Sequence, residues 1–233
     1  DMEAGEFFYP SDLREYSFDA RPYHFRRSWG VPVRYHDYRA ILAKTNPDLL
    51  EFHFSYKDLD LDYRGYLQSI YSELGYVVHA PELFADDHLL DLCSEDLVYR
   101  EHSIAELQRV IELTRELNEF FPSTTRPLIV TNIGGFSTDQ VLSEPEIIKK
   151  EDLLEDSLGR LDRKGIEIIV QTMPPYPWHF GGQSHHNIFV DSDHIVRLCE
   201  RLELRICLDI SHSKLACNHL NQSFKEFVEK VGP

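Results

Sequence analysis

The features that assign a function most quickly are missing from this 233-residue chain. It has no G-x-S-x-G elbow, no Walker loop and no Cys/His nucleophile spacing, so serine-hydrolase, P-loop and cysteine-nucleophile readings have nothing to stand on. The four cysteines (Cys93, Cys199, Cys207, Cys217) form no CxxC pair; Cys207 falls in an apolar strand and Cys199 on an apolar helix face, so buried thiols are expected. No apolar run approaches the roughly 18 residues of a membrane span, and no signal peptide is recognisable. A cytoplasmic, reduced protein with no membrane partner is the expectation. Positive charge is scarce as well: 24 Lys and Arg face 40 Asp and Glu, a formal charge of −16. Affinity for nucleic acid rests largely on neutralising phosphates, so no nucleic-acid partner is expected. The local exception, Arg21, Arg26 and Arg27, reads as a solvated or docking surface. Beginning at Asp1-Met2 and ending at Val231-Gly232-Pro233, the chain is expected to be a piece of something longer.

What is present is a rhythm. Residues 1–30 are aromatic, Arg-rich and without period, an irregular lead-in that reads as a linker or the tail of a preceding domain. From residue 31 to 233, six apolar runs end on polar groups: Val31 to His36, Leu49 to His53, Tyr76 to His79, Leu128 to Asn132, Ile168 to Gln171 and Arg205 to Asp209. Stretches of helical periodicity lie between them: 37–45, 63–74 and a small helix near 86–92. A longer helix is expected from the capping box Ser103-Ile-Ala-Glu106, and another from Ser143-Glu-Pro-Glu146. One helix is capped by Asp191 or Ser192, and a last helix spans 213–230. Alternating strands and helices imply a parallel sheet with helices outside it. A doubly wound sheet predicts a glycine fingerprint after the first strand, but His36-Asp37-Tyr38 stands there. The expected fold is therefore α/β, a TIM (β/α) barrel. It is incomplete, with about six strand–helix units where the standard barrel has eight. Its open sheet edges call for cover by a neighbouring domain or a homo-oligomer.

In such a barrel the polar groups at the carboxyl ends of the strands converge on the working face. Asp209 at a strand end with His212 three residues on lets a carboxylate and an imidazole reach one point, which suits Zn²⁺ or Mn²⁺. The alternative is that Asp209 caps the next helix and His212 is an ordinary loop residue. His79 ends a strand before Pro81 and is either a ligand or a structural hydrogen-bonding group. Asn132 and Gln171 are neutral amides, better suited to substrate hydroxyls than to a metal. Glu51 and His53 lie two apart, on one side of their strand, as an acid/base pair or a structural pair. The long loop 173–187, with Trp178, His179, His185, His186 and Asn187, combines rings with polar groups as a sugar-binding lid would.

The order of strand ends, Val77-Val-His79-Ala-Pro81, the Gly134-bearing fourth strand, the Gln171-ended fifth and Leu208-Asp209-Ile-Ser-His212, resembles the xylose-isomerase-like barrels, a group that includes the endonuclease IV type of repair enzyme. By that resemblance His79, Asp209 and His212 correspond to metal ligands. Gln171 falls where a metal-binding Glu is usual, and Asn132 where the endonuclease branch has a His. The lead-in Glu6-Phe-Phe-Tyr-Pro-Ser-Asp-Leu13 and the run Gly30 to Asp37 resemble the tail of the sialic acid (N-acetylneuraminate) synthase family. Together these imply a sugar isomerase or epimerase-type barrel of sialic-acid-like sugar biosynthesis. It would act on a sugar or sugar phosphate with a divalent ion (Mn, Zn, Co or Mg) held by His79, Asp209 and His212. Glu51 and His53 would supply the base, and His36, Asn132, Gln171, Trp178, His179 and His186 would bind substrate. A second reading is a non-catalytic sugar-binding or regulatory domain of a synthase-like protein. A third, DNA repair, is opposed by the charge.

Overall fold

A computed structural model describes residues 27–177 and 184–232; most of the aromatic lead-in, and Trp178 and His179 of the long loop, lie outside the described residues. Six parallel strands form one sheet: β1 (Gly30–Val33), β2 (Leu49–His53), β3 (Gly75–His79), β4 (Leu128–Thr131), β6 (Glu167–Gln171) and β8 (Ile206–Cys207), hydrogen-bonded in that order. A separate two-stranded antiparallel ribbon pairs β5 (Phe136–Ser137) with β7 (His185–His186). The six long-range strands are those the apolar runs predict, so the α/β class with its parallel sheet is as expected.

Alternation along each strand sends side chains to opposite faces. On the outer face Leu50, Phe52, Tyr76, Val78, Ile129, Ile168 and Val170 are buried beneath the helices. Each such side chain contributes about 1.5–3 kcal/mol relative to exposure. On the inner face Leu49, Glu51, His53, Val77 and His79 are only half-buried. Among the described residues β1 and β8 each pair on one side only, which leaves the sheet open. Cys93 and Cys217 are buried, while Cys199 and Cys207 are half-buried, more open than the apolar settings of their segments predict; all four are free thiols.

The helices are α1 (Tyr38–Leu42), α2 (Leu97–Leu117), α3 (Glu144–Arg160), α4 (Ser192–Leu202), α5 (Ile210–Leu220) and α6 (Phe224–Val231). The capping box at Ser143 and the cap at Asp191 stand as expected. Four other expectations are corrected, two by hydrogen bonds made across the fold and two by left-handed backbone. Helix α2 starts six residues before the Ser103 box, on Asp96, because the Ser103 hydroxyl is buried and committed to His88 Nε2 (2.9 Å) and the Asp91 amide (3.0 Å). Residues 63–74 hold one 3-10 turn, not a helix. The Tyr66 carbonyl accepts from Arg39 and from the Tyr38 hydroxyl, and the Tyr71 amide donates to Phe120 O instead of to its own turn. Near 86–92 there is only the turn Ala85–Asp87, since Asp86 and Asp87 both sit at φ 56°, a left-handed pair no helix can propagate through. The expected helix 213–230 is two, broken at Asn221 in the left-handed conformation (φ 53°), after which Ser223 caps α6. The first strand also ends earlier than expected, because the Arg34 amide turns to Asp37 Oδ1 at 2.7 Å. Among the described residues no helix is long and apolar enough to cross a membrane.

Candidate active site

Register decides which strand ends meet. His53 lies opposite His79 across β2 and β3, and Gln171 opposite Cys207 across β6 and β8, with all of these side chains on the inner face. A row of polar contacts follows. His53 Nε2 donates to Glu51 Oε1 at 2.6 Å, and the His53 ring stacks on His79 with centroids 4.5 Å apart. Across the strand ends, His79 Nε2 donates to Gln171 Oε1 (3.2 Å), and Gln171 Nε2 donates to Asp209 Oδ2 (2.9 Å). The other nitrogen of His79, Nδ1, lies 3.1 Å from Ala80 O. Gln171 is nearly buried at 7 % exposure, so its amide sits inside the row and not at its surface. The His53 imidazole bonded to it holds the Glu51 carboxyl below the usual carboxylate range, against burial that pushes the other way, and His79 adds to the lowering. Burial, reinforced by Glu51 and Asp209, pushes the inner-face Cys207 thiol up to about 11, so it stays protonated and inert.

Asp209 does both things the sequence left open. Its Oδ1 accepts the His212 amide at 2.8 Å as the N-cap of α5, while Oδ2 faces Gln171. The His212 ring turns back to β6, Nδ1 donating to Thr172 O at 3.0 Å and lying 3.6 Å from Asp209 Oδ2. Two residues that the sequence did not single out fix this corner. Thr172 is fully buried, and its hydroxyl accepts the Asp209 amide (2.9 Å) and pairs with the Ser213 hydroxyl (2.9 Å). No local motif marks either, since their partners are about 40 residues apart in the chain.

The remaining predicted residues are spread around this row. Asn132 is buried just past β4, its amide oxygen without a partner among the described residues. His36 stands on the exposed turn after β1, 3.9 Å from Asp37, and contributes no contact to the row. His186 is buried in β7, its Nδ1 on Pro174 O at 2.8 Å and its ring against Phe136. Asn187 ties the base of the long loop: its Oδ1 accepts the Leu142 amide (2.8 Å) and its Nδ2 donates to Gly135 O (2.9 Å) and Ser137 Oγ (3.0 Å). The loop is therefore anchored at its C-terminal root, whatever its outer part does.

A divalent cation implied by family resemblance finds a poor donor set here. His79 and Asp209 reach towards each other only through Gln171, a neutral amide that satisfies both, and His212 is turned to a backbone carbonyl. Among the described residues no three His, Cys, Asp or Glu side chains converge to hold an ion. The three predicted ligands thus lie in one neighbourhood without forming a ligand shell.

A parallel sheet with helices on its outer face, polar groups gathered at the carboxyl ends of its strands and a tethered loop beside them defines a β/α-barrel protein. Residues 35–232 match the family described as xylose isomerase-like TIM barrel, and the chain belongs to that family. Among solved structures it is similar to a D-tagatose 3-epimerase-like protein at 21% identity, covering 88% of this chain and 71% of that one with a TM-score of 0.59. It is also similar to an L-ribulose 3-epimerase (15% identity, 81% and 62% covered, TM-score 0.53). A third is a D-psicose 3-epimerase in the presence of D-fructose (14% identity, 89% and 70% covered, TM-score 0.55). At these identities the likeness is one of fold. No curated protein matches the chain by sequence.

Proposed function

We propose that this barrel domain binds a sugar across the ends of β2, β3, β6 and β8 and transfers a proton next to its carbonyl, as an isomerase or epimerase does. The observation that carries the reading is the row Glu51–His53–His79–Gln171–Asp209, joined by hydrogen bonds and one ring stack over the ends of β2, β3, β6 and β8. Removing a proton beside a carbonyl needs a base held within hydrogen-bond reach and a donor at the oxygen that gains charge. His53, steadied by Glu51, is the proton-transfer group; His79 and the Gln171 amide supply N–H donors for the oxygen; Asp209 accepts from a hydroxyl. Asn132, with its unpartnered amide oxygen, is a further hydroxyl acceptor. No step is assigned to a metal ion, because the donor set does not suit one. The likeness in fold to sugar 3-epimerases supports the reaction type.

Two finer placements go with this reading. A role in nonulosonate synthesis is supported by the runs Glu6 to Leu13 and Gly30 to Asp37 alone. A neighbouring domain or second copy covering the half-open inner face is supported by the single-sided pairing of β1 and β8. Four free thiols suit a reducing, cytoplasmic setting.

A second reading, a sugar-binding domain without turnover, is favoured by one observation: Gln171 closes the row between His79 and Asp209 without a charge of its own. Incubating the protein with free ketoses and aldoses in D₂O, and following deuterium beside the carbonyl by NMR, separates the two. Exchange that is lost in His53→Phe and Glu51→Gln supports the isomerase. Saturable binding without exchange supports the second reading. No binding of any sugar overturns both.

A further inference from the structure

We infer that the strand-end site selects uncharged or amine-bearing sugars and rejects those with a phosphate, nucleotide or carboxylate handle. The inference rests on the sugar-site reading and narrows its substrate class. A protein holds such an anion with Lys or Arg, with free N–H groups at a helix N-terminus, or with a glycine-rich turn. Among the described residues of this face each of the three is missing or already taken.

The four connections that follow β3, β4, β6 and β8 (80–96, 132–143, 172–191 and 208–209) contain nine Asp and Glu and no Lys or Arg. That count includes the part of the long loop outside the described residues. Cations do follow β1 and β2. Arg34 pairs with Asp58 (3.4 Å), Arg39 is held by Tyr38 and Tyr66, Lys57 lies over the Tyr56 ring, and Arg64 pairs with Glu119 (3.0 Å). Lys44 stands beyond the C-terminus of α1, on the return to β2. Six acidic residues, Asp37, Asp48, Asp58, Asp60, Asp62 and Glu73, accompany these five cations.

The helix N-termini are filled from within. Asp96 accepts the Val98 and Tyr99 amides at the start of α2, Asp191 accepts Asp193 and His194 at α4, and Asp209 accepts His212 at α5. Helix α3 opens on the Ser143–Glu146 box, which places a further carboxylate in its first turn. Among the described residues the glycine pair of this face is Gly134-Gly135, and its Gly135 amide is bonded to buried Asp91 Oδ1 at 2.9 Å. At the starts of α2, α3, α4 and α5 and at Gly135, the N–H groups an incoming anion would use already face a carboxylate of this chain. An excess of carboxylates around the strand ends lowers the local concentration of anions and their association rate.

The test uses the protein as it stands. Calorimetric titration with D-fructose, D-glucosamine and D-fructose 6-phosphate at low salt is expected to rank the phosphate ester about tenfold or more below the free sugar, a gap that narrows as salt shortens the Debye length. Inorganic phosphate should leave the NMR signals of His53, His79 and His212 unmoved. Ile210→Arg, at an exposed position next to Asp209 and outside the polar row, should narrow the gap between the two fructose forms. Tighter binding of the ester with affinity falling as salt rises, or a saturable phosphate shift at these histidines, overturns the inference. If no sugar binds, the sugar-site reading itself fails, and the phosphate titration still decides whether the face excludes anions.

Discussion

Replacing Thr172 by valine keeps the shape of a fully buried side chain and removes one hydroxyl, which makes it a clean probe of the corner that holds Asp209 and His212. The hydroxyl accepts the Asp209 amide at 2.9 Å and pairs with Ser213 Oγ at 2.9 Å. Without it, a backbone N–H and a buried Ser213 hydroxyl lose partners, at about 1–3 kcal/mol for the amide and about 1 kcal/mol for the hydroxyl. The extra methyl returns about 0.8 kcal/mol through burial. Thr172→Val is therefore expected to cost about 1–3 kcal/mol. Thr172→Ser keeps the hydroxyl, gives up one methyl, and costs about 1 kcal/mol. Urea unfolding with an unchanged slope reads the difference directly. The functional arm is the His212 ring: its bond is to the Thr172 carbonyl, which the substitution keeps, so its NMR signal should move only as far as the Asp209 cap moves. A valine variant as stable as the parent, or a serine variant less stable than the valine one, would refute the assignment of Thr172 as the organiser of this corner.

Three further outcomes follow from the same structure. Gly134→Ala is expected to cost about 2–4 kcal/mol, because φ is +82° and the new Cβ would fall 2.4 Å from Asp91 Cα, whereas Gly159→Ala in α3, with no atom within 4 Å, should stabilise by about 0.5–1 kcal/mol; thermal or urea melts compare them. His88 is held below the ordinary histidine value by burial first and by the stacked His102 second, so the unfolded chain takes up the proton before the folded one does, and stability falls as pH drops through about 6.5; His88→Phe should flatten that slope. Glu51 is shifted in the stabilising sense, its folded carboxyl ionising below the unfolded one, so its contribution is present above the unfolded value of about 4.3 and is lost as pH falls through the folded one; Glu51→Gln removes that acid-side loss, read by denaturation at stepped pH.

The parts of the fold that were legible in the sequence are those specified by neighbours in the chain. Six apolar runs became the six parallel strands, and the Ser143–Glu146 and Asp191 caps began helices where they stood, because a strand's period and a helix's first turn are local properties. Two of the failures have the opposite cause. Residues 63–74 have helical spacing, yet Arg39 and Phe120 compete for the backbone groups a helix would need. Ser103 has the residues of a cap, but His88 and Asp91 claim its hydroxyl. In the site, the strand-end positions of His53, His79, Gln171 and Asp209 could be read from the runs, but not that Gln171 would stand between two of them. Thr172 and Ser213 were invisible, since what defines them are partners 37 to 41 residues away.

The position of Gln171 also explains why the row and its rim act in the same direction. A glutamate there would bring a second carboxylate to within hydrogen-bond distance of Asp209, and such a pair needs a proton or a cation between its members. The amide instead donates to Asp209 and accepts from His79, so the row closes with each group answered by its neighbour. A sugar hydroxyl, both donor and acceptor, can enter such a row by exchanging one bond for two. A carboxylate, or a phosphate ester above its second pKa of about 6, only accepts, and would meet Glu51 and Asp209 with no proton to offer them. The neutral amide in the middle and the carboxylate caps around it therefore select against the same property, an anionic handle, and Asp209 serves in both.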